Sequence, residues 1–113
     1  GNAMGQQKFG EALELLHSVV AIAPNYAEGW NKRATVYFLL GQYEDSVADV
    51  ERTLDLEPRH FGALSGLGLI YMRLRKEAAA LDAFERALIV NPHLGQAKAA
   101  VKRLRPAVKG KNI

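Results

Sequence analysis

Apolar residues recur along this chain at helical spacing. Leu13, Leu16 and Val20 form one stripe. Trp30, Ala34, Tyr37 and Leu40 form a second, and Val47, Val50, Leu54 and Leu56 a third. Leu64, Leu67, Gly68, Tyr71 and Leu74 follow, then Leu81, Phe84, Ala87, Leu88 and Val90, and last Leu94, Ala97, Val101 and Leu104. Steps of three and four put such residues on one face of an α-helix, whereas a half-buried strand would alternate with period two. No stretch alternates in that way, and β-branched residues do not cluster. The pattern predicts about six helices and no sheet. Gly41-Gln42 and Arg75-Lys76 break the stripes, as do Pro24, Pro58 and Pro92. Proline has no N–H for the helical ladder and drives the preceding residue out of the α region, so a helix ends at each.

The breaks are periodic. Pro24, Pro58 and Pro92 lie 34 residues apart, twice over. A shift of 34 also superposes Tyr37 on Tyr71, Leu40 on Leu74, Glu51-Arg52 on Glu85-Arg86 and Leu54 on Leu88. It carries Phe9, Leu13, Leu16 and Val20 onto Tyr43, Val47, Val50 and Leu54. Each period reads as two helices that cannot bury their apolar faces alone and must stack on neighbours.

A 34-residue helix–turn–helix period with Trp30, Ala34, Tyr37, Gly41, Tyr43, Leu54 and Pro58 resembles the tetratricopeptide repeat. Leu64, Gly68, Tyr71, Ala80, Phe84, Ala87 and Pro92 match in the next unit. The resemblance covers residue 9 to about residue 105. It implies an all-α fold, a right-handed α-α superhelix or solenoid. Three slots depart from the family pattern. Arg33 stands where a buried Leu is usual and Leu67 is its counterpart; its stem is expected to pack while its head pairs with Asp49 or Glu51. Ser46 and Thr53 replace small apolar residues. Gly62, Gly66 and Gly68 each weaken a helix by about 1 kcal/mol relative to Ala, which points to close packing or to close approach by a ligand.

The expected organisation is an expression-tag remnant at 1–3 and a repeat array at 4–93, a capping helix at 94–106 stopped by Pro106, and a basic tail at 107–113. The array divides into a half repeat at 4–24 and full repeats at 25–58 and 59–92. The half repeat would hold only a second helix, its first lying upstream in a longer protein. The cap places Leu94, Ala97, Val101 and Leu104 inward and Lys98, Lys102, Arg103 and Arg105 outward.

Composition narrows the chemistry. The 113 residues include no Cys, which rules out disulfides, thiolate metal sites and a Cys nucleophile. No apolar run approaches the ~18 residues of a membrane span. The net charge of +3 is local: residues 1–93 hold 9 basic against 12 acidic side chains, and no acid follows Arg86. The excess reads as a solvated helix end, and nucleic-acid binding is not expected. His17, His60 and His93 have no His partner at i+4, and Ser18, Ser46 and Ser65 lie in no nucleophile elbow. Neither enzyme chemistry, a cofactor nor a metal is expected. The compartment stays open between cytoplasm and bacterial periplasm, since a signal segment would lie upstream.

What remains is surface. By the resemblance, the first helix of each repeat lines a concave groove that receives a peptide or protein segment. The groove residues it implies are Glu28, Asn31, Thr35, Phe38, Leu69, Met72 and Arg73. Some members of the family hold a C-terminal carboxylate with a Lys–Asn clamp. Here Asn31 and Thr35 fill those slots, and Gly66 and Ala100 replace other partners, so that subtype is not expected. The alternative is self-association: the apolar N-terminal helix offers Leu13, Leu16 and Val20 as an edge through which two copies would pair.

Overall fold

A computed structural model describes residues 3–111, with side chains described over 5–110. The first two residues of the expected tag remnant and the last two of the expected tail lie outside this range. The order is α1 (Ala3–Ile22), α2 (Ala27–Leu39), α3 (Tyr43–Leu56), α4 (Phe61–Arg73), α5 (Glu77–Val90) and α6 (Gly95–Lys111), and no strand occurs among the described residues. The chain forms two compact units, Gly1–Pro58 and Arg59–Ile113.

The turns repeat with the sequence. Pro24, Pro58 and Pro92 each sit in a tight turn, two residues after the last residue of α1, α3 and α5. The links inside a repeat are also alike. Gly41 (φ 77°) and Arg75 (φ 60°), 34 residues apart, both adopt the left-handed conformation. The N–H of Gln42 donates to the Tyr37 carbonyl and that of Lys76 to the Tyr71 carbonyl, each at 2.8 Å. This closure satisfies carbonyls that a helix end leaves open. Glycine adopts it without strain, whereas Arg75 bears the steric cost of a Cβ.

In the first unit α2 packs against both α1 and α3. Its interior is partly polar. Arg33 and Asp49 form a two-pronged ion pair at 2.7 and 2.8 Å, so the sequence-level choice between Asp49 and Glu51 resolves to Asp49. The Ser46 hydroxyl donates to the Ala34 carbonyl at 2.6 Å, and the Thr53 hydroxyl to the Asp49 carbonyl at 2.9 Å. Ser46, Asp49 and Thr53 are buried, and no described buried side-chain polar atom lacks a partner. Burial of polar groups costs little once they are paired.

The second unit is drier. α5 is packed by α4 on one side and α6 on the other. Ala80, Leu81, Phe84, Ala97, Val101 and Leu104 form its core, with Tyr71, Met72, Leu88, Leu94, Ala100 and Val108 packed on the margin. A Cβ on Gly68 would come within 2.6 Å of the Phe84 ring, so α4 and α5 approach more closely than any side chain there allows. Gly66 has nothing within 4 Å of a would-be Cβ, so close packing accounts for Gly68 alone of that pair.

One expected boundary moves. Pro106 does not end the cap: α6 runs through it to Lys111, so residues 107–111 are helix rather than tail. Proline costs an interior helix about 3 kcal/mol. Val108, two residues further on, still packs against the core.

Candidate functional site

The expected binding residues fall on α2 in the first unit and α4 in the second. On α2, Glu28 and Asn31 are half-buried and Thr35 is exposed. These three line a groove of about 450 Å³ with Lys32 and Val36, opposite Ala12, Leu15 and Leu16 of α1. The Thr35 hydroxyl donates to the Asn31 carbonyl one turn back, at 3.1 Å. Phe38 is half-buried with its ring tilted on Tyr43, centroids 5.5 Å apart. On α4, Leu69 is 46% exposed, and Arg73 is exposed at the helix end. Met72 is half-buried and packs on the second unit's core, so much of its surface is structural.

The expected self-association edge needs a correction. Leu13 and Leu16 are half-buried, but Val20 is 7% exposed and belongs to the core. The prominent apolar side chains of α1 are Leu15 at 66% and Ile22 at 84%. The edge reading missed Leu15. The signal was in the register: Leu15 corresponds to Asp49 and Ala83, both interior positions.

A polar cluster gathers on Trp30, Arg33 and Tyr37, the face of α2 turned away from the groove residues. Arg33 lies over the rings of Trp30 and Tyr37, 5.1 and 5.5 Å from their centroids, and its guanidinium meets His17 Nδ1 at 3.1 Å. Trp30 donates its indole N–H to the Pro24 carbonyl at 2.8 Å, and Arg52 covers Trp30 from 5.6 Å. The hydrogen bond to Asp49 holds the Arg33 pKa above its ordinary value, against the opposing effect of burial. Burial raises the Tyr37 pKa, while neighbouring Arg33 pulls it down. The cluster ties α1, α2 and α3 together. Further along, His60 caps α4, its Nδ1 accepting the Ala63 N–H at 2.9 Å. Among the described residues no group of three or more His, Asp or Glu could hold a metal ion, and no helix is long and apolar enough to cross a membrane.

Repeated helical hairpins, proline-marked turns and an open face on each first helix define a class of helical-repeat interaction domain. The tetratricopeptide repeat family model matches residues 2–48 and 31–97. The chain belongs to this family, as an all-α solenoid-type domain serving protein–protein interaction. It is similar to a TPR repeat-containing protein of Rhizobium etli, 42% identical over 90 residues, which are 80% of this chain and 44% of that protein. The Hsp70-Hsp90 organizing protein of Triticum aestivum is 30% identical over 93 residues, 81% of this chain and 16% of its own length. This chain thus spans less than half the length of these relatives. Among solved structures, the first TPR of Spaghetti (RPAP3), bound to the HSP90 peptide SRMEEVD, superposes with a TM-score of 0.86 at 23% identity, over 94% of this chain and 84% of that one. MamA gives 0.84 at 21% identity, over 94% and 62%.

Proposed function

We propose that this domain binds a peptide or protein segment, with Glu28, Asn31, Thr35 and Phe38 of α2 and Leu69, Met72 and Arg73 of α4 making the contacts. The observation that carries this reading is the contrast along α4. Leu69 is 46% exposed, while its neighbours Leu67, Gly68 and Ile70 are buried. An apolar side chain left open beside buried ones is a candidate contact. Relatives named as a heat-shock organizing protein and a co-chaperone, and others named as members of multiprotein complexes, support partner binding as the role. The domain supplies the surface rather than catalysis. Asn31, Thr35, Gly66 and Ala100 provide no clamp of positive charge, so recognition does not depend on a C-terminal carboxylate.

Peptide-array hits, titrated by fluorescence anisotropy, test this. Leu69→Glu and Asn31→Arg should each weaken the hits at least tenfold without changing the melting temperature. Amidating the peptide C-terminus should leave affinity unchanged. Hits indifferent to both substitutions would place binding elsewhere.

A further inference from the structure

α6 has one dry side and one charged side. Ala97, Val101 and Leu104 are buried in the core shared with α5. Lys98, Lys102, Arg105 and Lys109 are exposed. Steps of four, three and four residues put them on one side of the helix, in a row about 16 Å long. Arg105 donates to Glu85 of α5 at 2.6 Å. Lys98, Lys102 and Lys109 have no carboxylate partner among the described residues. Residues 87–113 contain no acid, and the second unit has eleven Lys and Arg against three Asp and Glu. A groove of about 440 Å³ follows the row, lined by Val101 and Pro106 as well as Lys102, Arg105 and Lys109. The repeat register excludes one cover for it. Lys98, Lys102 and Arg105 stand where the earlier repeats have Leu64, Gly68 and Tyr71, and Trp30, Ala34 and Tyr37. There the second helix of the repeat packs, Phe84 on Gly68 and Ser46 on Ala34. A helix packed likewise on α6 would bury three cations, which an apolar face cannot compensate.

We propose that this row on α6 docks an acidic segment of a partner protein, with Asp or Glu spaced by a helical turn and an apolar side chain between them. The inference uses none of the α2 and α4 residues named above. Charge complementarity calls for an anion, and the second unit's excess of cations steers one toward it. Four observations favour carboxylates on a polypeptide over nucleic acid or lipid. The anion that already meets the row is a carboxylate carried by a helix, Glu85. Three of the four cations are Lys, compact point charges, whereas the planar fork of Arg suits phosphate. α6 has no aromatic residue on which a base could stack, and Val101 and Pro106 give an apolar side chain a place to rest. A helix that inserts into a lipid surface needs a free apolar face, and Ala97, Val101 and Leu104 are already buried.

The probe is a labelled helical peptide with four Glu spaced as the row is and one Leu between the middle two. Anisotropy titration against the 113-residue chain should show saturable one-to-one binding that weakens as salt is raised. Lys102→Glu should weaken it about tenfold. Lys102 is exposed, so the fold should survive, as a thermal melt checks. Arg103→Glu makes the same change in net charge on another side of α6 and should leave the affinity unchanged. Exchanging the peptide's Leu for Ser should weaken binding several-fold without touching the protein. Leu69→Glu should leave this peptide unaffected, as Lys102→Glu should leave the peptide-array hits, so the two readings fail separately. Absence of saturable binding, binding indifferent to Lys102→Glu, or equal loss with Arg103→Glu would overturn the proposal. So would duplex DNA or phosphatidylserine vesicles that displace the peptide more readily than its unlabelled form does. So would a dimer that Lys102→Glu dissociates, which puts a second copy on the row. So would a longer polypeptide that no longer takes up the peptide because an acidic segment of its own fills the site.

Discussion

Arg33 and Asp49 show how one repeat slot can be filled in two chemistries. The same positions in the second unit are Leu67 and Ala83, an apolar pair. Asp49 is 3% exposed, so removing its cation leaves a buried charge without its partner. Arg33→Leu alone should therefore cost about 3–5 kcal/mol. Arg33→Leu with Asp49→Ala restores the second unit's solution and should recover most of the loss, as denaturant melts of the single and double variants would show. Tyr37 adds a pH dependence. Its pKa is raised by burial, so its contribution is complete below the ordinary tyrosine value near ~10 and is lost as pH rises past it. Tyr37→Phe should flatten the alkaline limb of the stability profile, and an unchanged limb would mean that Tyr37 does not drive it.

At the scale of the element, the glycines of α4 divide by what surrounds them. Gly68→Ala would force a methyl to 2.6 Å from the Phe84 ring, at a cost of about 1–3 kcal/mol that outweighs the helix-propensity gain of about 1 kcal/mol. Gly66→Ala meets nothing and should stabilise by up to about 1 kcal/mol. Melting temperatures should therefore move in opposite directions. In α6, Pro106→Ala restores the N–H that the Lys102 carbonyl lacks and should stabilise the helix by about 1–3 kcal/mol. A loss of stability there would mean that Val108 docks only because the proline bends the helix.

Across the whole molecule, stability follows packing partners, as expected of stacked repeats. α5 has a helix on each side, while α1 packs chiefly on α2 and leaves Leu15 and Ile22 open. Native-state hydrogen exchange should show the deepest protection of the second unit in α5 and the shallowest of the first in α1. Uniform protection within the first unit would contradict the packing described.

The sequence by itself determined the six helices, the 34-residue period and the proline-marked turns. These rest on local sterics and on spacing along one chain, which no neighbour is needed to express. The choice of Asn31 and Thr35 on α2 and of Leu69 on α4 as contacts came from the family resemblance, and it stands as a proposal. Tertiary structure decided the rest. Leu13, Leu15, Leu16 and Val20 are all apolar and nearly adjacent in sequence, yet Val20 is core and Leu15 is open. Each residue turns a helix by about 100°, so which side is covered depends on where the neighbouring helix lies. Asp49 rather than Glu51 receives Arg33 for the same reason. Pro106 stays inside α6 because Val108, two residues beyond it, finds a core to bury against.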